Sequence, residues 1–197
     1  MIITICVLAA GESKRFRGEK LLSCYGKKTV SENVLDLINT LKGDDSTQLL
    51  KFLITKPKLF EFFNIKTSQE WRVISNENYR EGMSTSLKLG ILEAIKNKSD
   101  YLLLFLADMP KIKKNTVDTV MKQIIQSSGK IIRPVFFGKP GFPVALPRYL
   151  FDELTLLTGD VGAKAVIDRH KTCLLNVESS DIGCIFDIDE VIRSNDE

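Results

Sequence analysis

Hydrophobic residues fall along this chain in two alternating patterns. Residues 2–8 (IITICVL) and 101–107 (YLLLFLA) are apolar at nearly every position, as strands covered on both faces must be. Shorter runs at 49–54 and 71–75 predict two more strands. Between these runs the apolar spacing lengthens to the helical period. Val34, Leu37, Ile38 and Leu41 share a face over 31–41, where Ser31 can cap the start and Gly43 can end the helix. Leu87, Ile91, Ala94 and Ile95 do so over 85–96, and Val117, Val120 and Ile124 over 115–126. Short helices are expected at 57–63, 147–156 and 163–169. Strands at 130–135, 143–146, 172–177 and 184–188 complete the sheet. Strand–helix alternation around doubly apolar strands predicts an open, three-layer, Rossmann-like α/β fold with a mostly parallel sheet. Such sheets bind ligands at the carboxyl ends of their strands. The turn after Ala10 and the residues after Ala107 therefore fall on one edge.

Composition narrows the possibilities. At 197 residues with no repeat or linker, the chain suits a single domain over 1–197. A formal net charge of +3, spread along the sequence, gives no reason to expect nucleic acid or an anionic membrane as partner. Cys6, Cys24, Cys173 and Cys184 have no CxxC or Cys/His spacing, which argues against zinc. Cys6, inside an apolar run, reads as a core thiol. The run 2–10 is too short to span a bilayer, and the cations follow it instead of preceding it, the wrong order for a secretory signal. A cytoplasmic protein with reduced cysteines is expected. His170 stands between Arg169 and Lys171 and reads as a surface residue.

The first strand breaks into Gly11-Glu-Ser-Lys-Arg-Phe-Arg-Gly-Glu-Lys20. This is neither a P-loop nor a GxGxxG fingerprint. Small Ala9 and Ala10 let a flat base or ribose lie against the backbone, and Gly11 permits a tight turn. Ser13, Arg15 and Lys20 can then meet phosphate oxygens, Arg15 as a planar fork and Lys20 as a point charge. A turn of this kind suits a polyphosphate.

Asp108 ends the most apolar strand, and Pro110 stops that strand. A carboxylate beside phosphates suits Mg2+, which takes one or two carboxylates with phosphate oxygens and water. A second carboxylate is expected from Asp187. Strand alternation puts Asp187 and Asp189 on one side, though Asp189 can instead cap a following helix.

The seven residues Leu8, Ala9, Ala10, Gly11, Ser13, Arg15 and Lys20 resemble the phosphate-binding signature of the MobA-like nucleotidyltransferase family. The likeness runs from Leu8 to Asp189 and implies a nucleotide-diphospho-sugar transferase type fold. Leu106-Ala107-Asp108-Met109-Pro110 resembles the family's metal-binding segment. A family Asp-Ile-Asp segment, matched at Asp187-Ile188-Asp189, would complete that site, although Glu190-Val191 follows where the family has Thr-Pro.

Other segments resemble the molybdenum cofactor cytidylyltransferase branch. Asn76, Gly82, Met83, Ser84 and Ser86 match its N…GMxxS pattern, which implies nucleotide contacts from Asn76, Gly82, Ser84 and Ser86. Ser84 can alternatively cap a helix. The run from Arg133 to Val144 resembles the branch's acceptor segment, implying acceptor contacts from Pro140, Gly141, Phe142 and Pro143, with Phe142 in place of the usual histidine. Asp160, Gly162 and Lys164 match a further acceptor motif, with lysine in place of arginine.

The resemblance thus implies catalytic roles for Arg15, Lys20 and Asp108. The reaction it implies is Mg2+-dependent transfer of CMP from CTP to a molybdopterin-type acceptor, with pyrophosphate released. Paired alanines at 9 and 10 look like the cytidylyl branch. Two alternatives stand beside this. One is a nucleotidyltransferase for a sugar phosphate or other phosphorylated small molecule. The other is a non-catalytic nucleotide-binding protein that assists cofactor insertion into a molybdenum enzyme.

Overall fold

The structure, a computed structural model, describes residues 1–12, 16 and 18–188. In chain order the elements are β1 (Ile2–Ala9), β2 (Cys24–Tyr25), β3 (Lys28–Thr29), α1 (Val30–Asn39), β4 (Gln48–Thr55), α2 (Pro57–Lys66), β5 (Trp71–Ser75) and α3 (Met83–Lys96). They continue with β6 (Tyr101–Leu106), α4 (Lys114–Gln126), β7 (Ile131–Phe136), β8 (Lys139–Pro140), β9 (Val144–Pro147), α5 (Phe151–Thr155), α6 (Lys164–Arg169) and β10 (Leu174–Glu178).

The sheet runs β10-β7-β9-β6-β1-β4-β5, with β8 paired to β7. Strands β6, β1, β4 and β5 are mutually parallel. The apolar runs of β1 and β6 exist because both faces are covered. On β1, Ile3, Ile5 and Val7 pack with Val34 and Ile38 of α1 and Phe63 of α2. The intervening Cys6 and Leu8 pack with Leu87 and Ile91 of α3 and Phe151 of α5. Cys6 is fully buried, as expected, and burial pushes its thiol up to about 12. Thr4, the polar residue of the run, shares a buried hydrogen bond with Ser99 Oγ at 2.7 Å.

Some elements differ from the sequence reading. Helix α1 is capped by Thr29 and not by Ser31. The Thr29 hydroxyl accepts the Glu32 amide while Glu32 accepts the Thr29 amide, a reciprocal box worth about 1 kcal/mol. Ser31 lies inside the helix and donates to the Leu21 carbonyl at 2.8 Å. Helix α1 ends at Thr40, short of Gly43. The predicted helix at 147–156 divides into a 3-10 turn, Arg148–Leu150, and α5.

Residues 184–188 are not a strand. Asp181 accepts the Gly183 amide at 2.9 Å and caps a 3-10 turn, Ile182–Ile185, so the backbone coils before 186–188 continue without regular structure. Strand alternation therefore does not govern Asp187, and Asp189 lies outside the described residues. Strand β9 runs antiparallel to both β6 and β7, and β8 antiparallel to β7, reversals within the mostly parallel sheet. His170 is half-buried, its Nε2 2.6 Å from Glu153 Oε2, so it is more engaged than a solvated surface residue. Among the described residues no helix is long and apolar enough to cross a membrane.

Candidate active site

Because β4, β1 and β6 are parallel neighbours, their carboxyl ends emerge side by side. Lys56 follows β4, Ala10 and Gly11 follow β1, and Ala107 and Asp108 follow β6. A cavity of about 580 Å³ opens at this edge. Its floor is Leu8, Ala9, Ala10 and Gly11 from β1, with Leu106 and Asp108 from β6.

Lys20 and Asp108, 88 positions apart in sequence, meet on this wall with Nζ 2.6 Å from Oδ2. Both side chains are largely withdrawn from solvent, where an ion pair is screened far less than at the surface. Lys20 is fixed by local structure. It opens the 3-10 turn Lys20–Leu22, Leu21 is buried, and Ser23 Oγ donates to the Lys20 carbonyl at 2.7 Å. Asp108 is fixed by its strand, since the Ala107 amide donates to the Leu8 carbonyl at 3.0 Å.

The Ile188 amide donates to the Asp108 carbonyl at 3.1 Å, which draws the segment carrying Asp187 alongside Asp108. Lys111 lies 3.9 Å from the Phe186 ring centroid and anchors the same segment by a cation–π contact. Asp187 itself is exposed and is not part of the cavity wall. Ser13 and Arg15 lie outside the described residues.

The opposite wall is the loop before α3. Tyr79, Arg80, Glu81, Gly82, Met83 and Ser86 face the cavity. Arg80 lies over the Tyr79 ring, with Nε donating to the Tyr79 hydroxyl at 3.2 Å. Gly82 has φ +115°, a conformation glycine tolerates and other residues rarely adopt. A Cβ there would also collide with the backbone of Gly159 and Asp160.

Two motifs far apart in sequence are joined at this point. The Ser84 hydroxyl donates to the Gly159 carbonyl at 2.7 Å, and Asp160 Oδ1 accepts the Met83 amide at 3.3 Å. Asp160 also reaches the cavity, and Gly162 abuts the Met83 sulfur.

Not every expected residue joins the wall. Asn76 is buried and its amide is committed within the protein: Nδ2 donates to Thr85 Oγ1 at 2.9 Å and Ser86 Oγ at 2.8 Å, while Oδ1 accepts the Asn78 amide at 3.0 Å. It holds the wall in place from behind. Ser84 does the same through Gly159. Lys164 is exposed at the start of α6, away from the cavity. Pro140 is exposed on β8, and Gly141 is pinned by its amide to the Pro134 carbonyl at 2.8 Å. Phe142 packs between the two core layers, and Pro143 is buried. None of these four faces the cavity.

The sequence reading missed Arg80 and the acidic residues Glu12 and Glu81 on the wall, and Lys56 behind it. For Lys56 a signal was available: it occupies the carboxyl end of an apolar strand, directly before Pro57. Its Nζ lies 2.7 Å from Glu19 Oε2 and 3.3 Å from the Gly11 carbonyl. Burial acts to raise the Glu19 carboxyl, but the ammonium groups of Lys56 and Lys58 outweigh it and hold the group below its ordinary range.

No group of three or more His, Cys, Asp or Glu suited to a metal occurs among the described residues. A hard cation shared with phosphate does not require one, because phosphate oxygens and water complete its shell. Asp108 offers a carboxylate beside Lys20 at the cavity, a hard oxygen donor of the kind magnesium takes.

The fold is of the nucleotide-diphospho-sugar transferase type. The chain belongs to the MobA-like NTP transferase domain family, which it matches over residues 5–173, and so is a nucleotidyltransferase-family enzyme domain acting on nucleoside triphosphates. Rv0371c from Mycobacterium tuberculosis H37Rv, solved in complex with manganese, is 22% identical, with TM-score 0.68 over 91% of this chain and 92% of that one. A nucleotidyl transferase from Methanothermobacter thermautotroptrophicus is 20% identical, with TM-score 0.73 over 95% and 92%. CMP:2-keto-3-deoxy-manno-octonic acid synthetase complexed with CTP is 12% identical, with TM-score 0.69 over 96% and 94%. No curated protein sequence matches the chain.

Proposed function

We propose that this protein is a Mg2+-dependent cytidylyltransferase that transfers CMP from CTP to a molybdopterin-type acceptor, the molybdenum cofactor. In this reaction a terminal phosphate oxygen of the acceptor attacks the α-phosphorus of CTP, the α–β bridging bond breaks, and pyrophosphate leaves. No protein nucleophile is needed, because positioning and charge neutralisation carry such chemistry. Ala9, Ala10 and Gly11 seat the nucleoside and the start of the triphosphate. Lys20, joined by Arg15 and Ser13 of the same turn, offsets charge on the phosphates. Asp108 would hold magnesium, with Asp187 as second ligand from the segment that the Ile188 amide draws alongside, and the ion would supply charge neutralisation at the phosphates. Gly82 and Ser86 form the facing wall, supported from behind by Asn76 and Ser84.

The convergence of Lys20 and Asp108 at 2.6 Å on a single cavity carries the reading. A related fold solved with CTP and another solved with manganese support the choice of nucleotide and of a divalent ion. Phe142 favours one second reading. It is turned into the core and offers an acceptor no hydrogen bond, so the acceptor is then a sugar phosphate or another phosphorylated small molecule.

The test is pyrophosphate release from CTP, ATP and GTP with Mg2+, using molybdenum cofactor and a set of sugar phosphates as acceptors. Release with CTP and molybdenum cofactor is expected. Turnover confined to sugar phosphates favours the second reading. Nucleotide binding without turnover on any acceptor overturns both in favour of a cofactor-insertion protein.

A further inference from the structure

Among the described residues two lysines are buried, and they are placed differently. Lys51 reaches Glu70, an exposed residue at the sheet edge, at 2.8 Å. Lys56 reaches inward, and both of its partners belong to the cation-rich turn after β1. Gly11, whose carbonyl lies 3.3 Å from the ammonium, opens that turn. Glu19, whose carboxylate lies 2.7 Å away, closes it and directly precedes Lys20.

Withdrawing an ammonium from water carries a large desolvation cost unless charge and hydrogen bonding replace the lost solvent. Here both replacements come from the two ends of one loop, so the folded position of Lys56 is inseparable from the closed base of that loop. Helix α2 adds rigidity: Lys56 is its N-cap, and Pro57 fixes the first helical turn. Lys58, exposed on the same helix, reaches the other Glu19 oxygen at 3.2 Å and adds little, as surface pairs do.

We propose that Lys56 is a positioning residue that ties the two ends of the phosphate turn together and thereby presents Lys20 to the triphosphate. The proposal rests on the functional reading above, in that the turn must bind phosphate. It adds the residue that follows β4 to a site otherwise built from the ends of β1 and β6, the turn at Lys20, the loop before α3 and Asp160. Lys56 touches no reacting atom. It acts through Gly11 and Glu19.

The experiment is calorimetric titration of CTP, and separately of inorganic tripolyphosphate, into wild type, Lys56→Met, Glu19→Gln and the double variant, alongside steady-state kinetics and thermal melts. Each single variant is expected to weaken both ligands about tenfold, the loss of one charge-assisted contact. KM for CTP rises correspondingly and KM for the acceptor is unchanged. The double variant is no weaker than either single, because both remove one tie. Lower melting temperatures with unchanged ligand affinity reduce Lys56 to a structural ion pair and overturn the tie alone. Wild type that binds neither ligand overturns the functional reading as well. If Lys56→Met does not fold, Glu19→Gln decides by the same criteria.

Discussion

The cavity wall at the strand ends and the segment 140–143 are built in opposite ways. The wall takes residues from the ends of β1 and β6, from the turn at Lys20 and from the loop before α3, and brings polar groups to the cavity: Lys20, Asp108, Arg80 and Ser86 all border it. The segment 140–143 spends its groups on the fold. The Gly141 amide goes to Pro134, the Phe142 amide goes to the Cys184 carbonyl at 2.8 Å, and the Phe142 ring joins the core. A Cβ on Gly141 would meet the Cys184 sulfur at 2.8 Å, so this stretch has little room to shift. Strand ends can carry function because the rest of the strand supplies the stability. A short connector between β8 and β9 must supply both, and here stability has taken the residues.

That contrast breaks most readily at Asp108. Asp108→Ala is expected to lower pyrophosphate release by about a thousandfold through loss of charge stabilisation at the phosphates, with the fold retained by circular dichroism. Near-normal release would remove the cavity wall from the chemistry. Lys20→Ala is expected to cost about a hundredfold in kcat/KM for the triphosphate and to weaken its binding in titration. Unchanged kinetics would contradict the phosphate role.

Phe142→His tests the other region. If 140–143 reads the acceptor, turnover with molybdenum cofactor rises a few-fold and CTP affinity is unchanged. The lost packing costs about 1–2 kcal/mol in denaturant unfolding. Lost stability without a change in acceptor kinetics would make this stretch purely structural.

The smallest effect lies in neither region. Hydrogen bonding to Lys66, then to the amide and hydroxyl of Thr29, lowers the Glu32 carboxyl from its ordinary 4.5 to about 2. Its folded value is the lower one, so the unfolded chain binds more protons between those limits. The stability it adds is full above the ordinary value and is lost as pH falls toward 2. Glu32→Gln should flatten the acid limb of the unfolding profile while leaving CTP affinity intact, as read by melts from pH 6 to pH 2.

How far the sequence could be read follows from where each signal resides. Strands β1 and β6 were legible because burial on both faces leaves no polar alternation. Lys20 and Asp108 were legible because each ends a local pattern, a glycine turn in one case and an apolar strand before proline in the other. The direction of β9 was not, since a four-residue strand reads the same both ways. Residues 184–188 look like a strand in isolation, and only the Asp181 cap coils them. Lys56 shows in sequence only its place at the end of an apolar strand before Pro57; its tie to the first turn emerges when β4 is laid beside β1. Asn76 matches a motif in sequence, and its amide braces Thr85 and Ser86 from behind the wall, a role that depends on contacts the motif does not carry.

The reversed strand β9 also sets a length scale. Because β9 opposes both β6 and β7, the β7–β8 hairpin turns at the same edge as Asp108, two strand spacings away, or roughly 10 Å. Any acceptor recognised at the hairpin and reacting beside Asp108 must bridge that gap. On the proposed function the sheet would then act as a ruler, favouring elongated acceptors over compact ones that touch a single end.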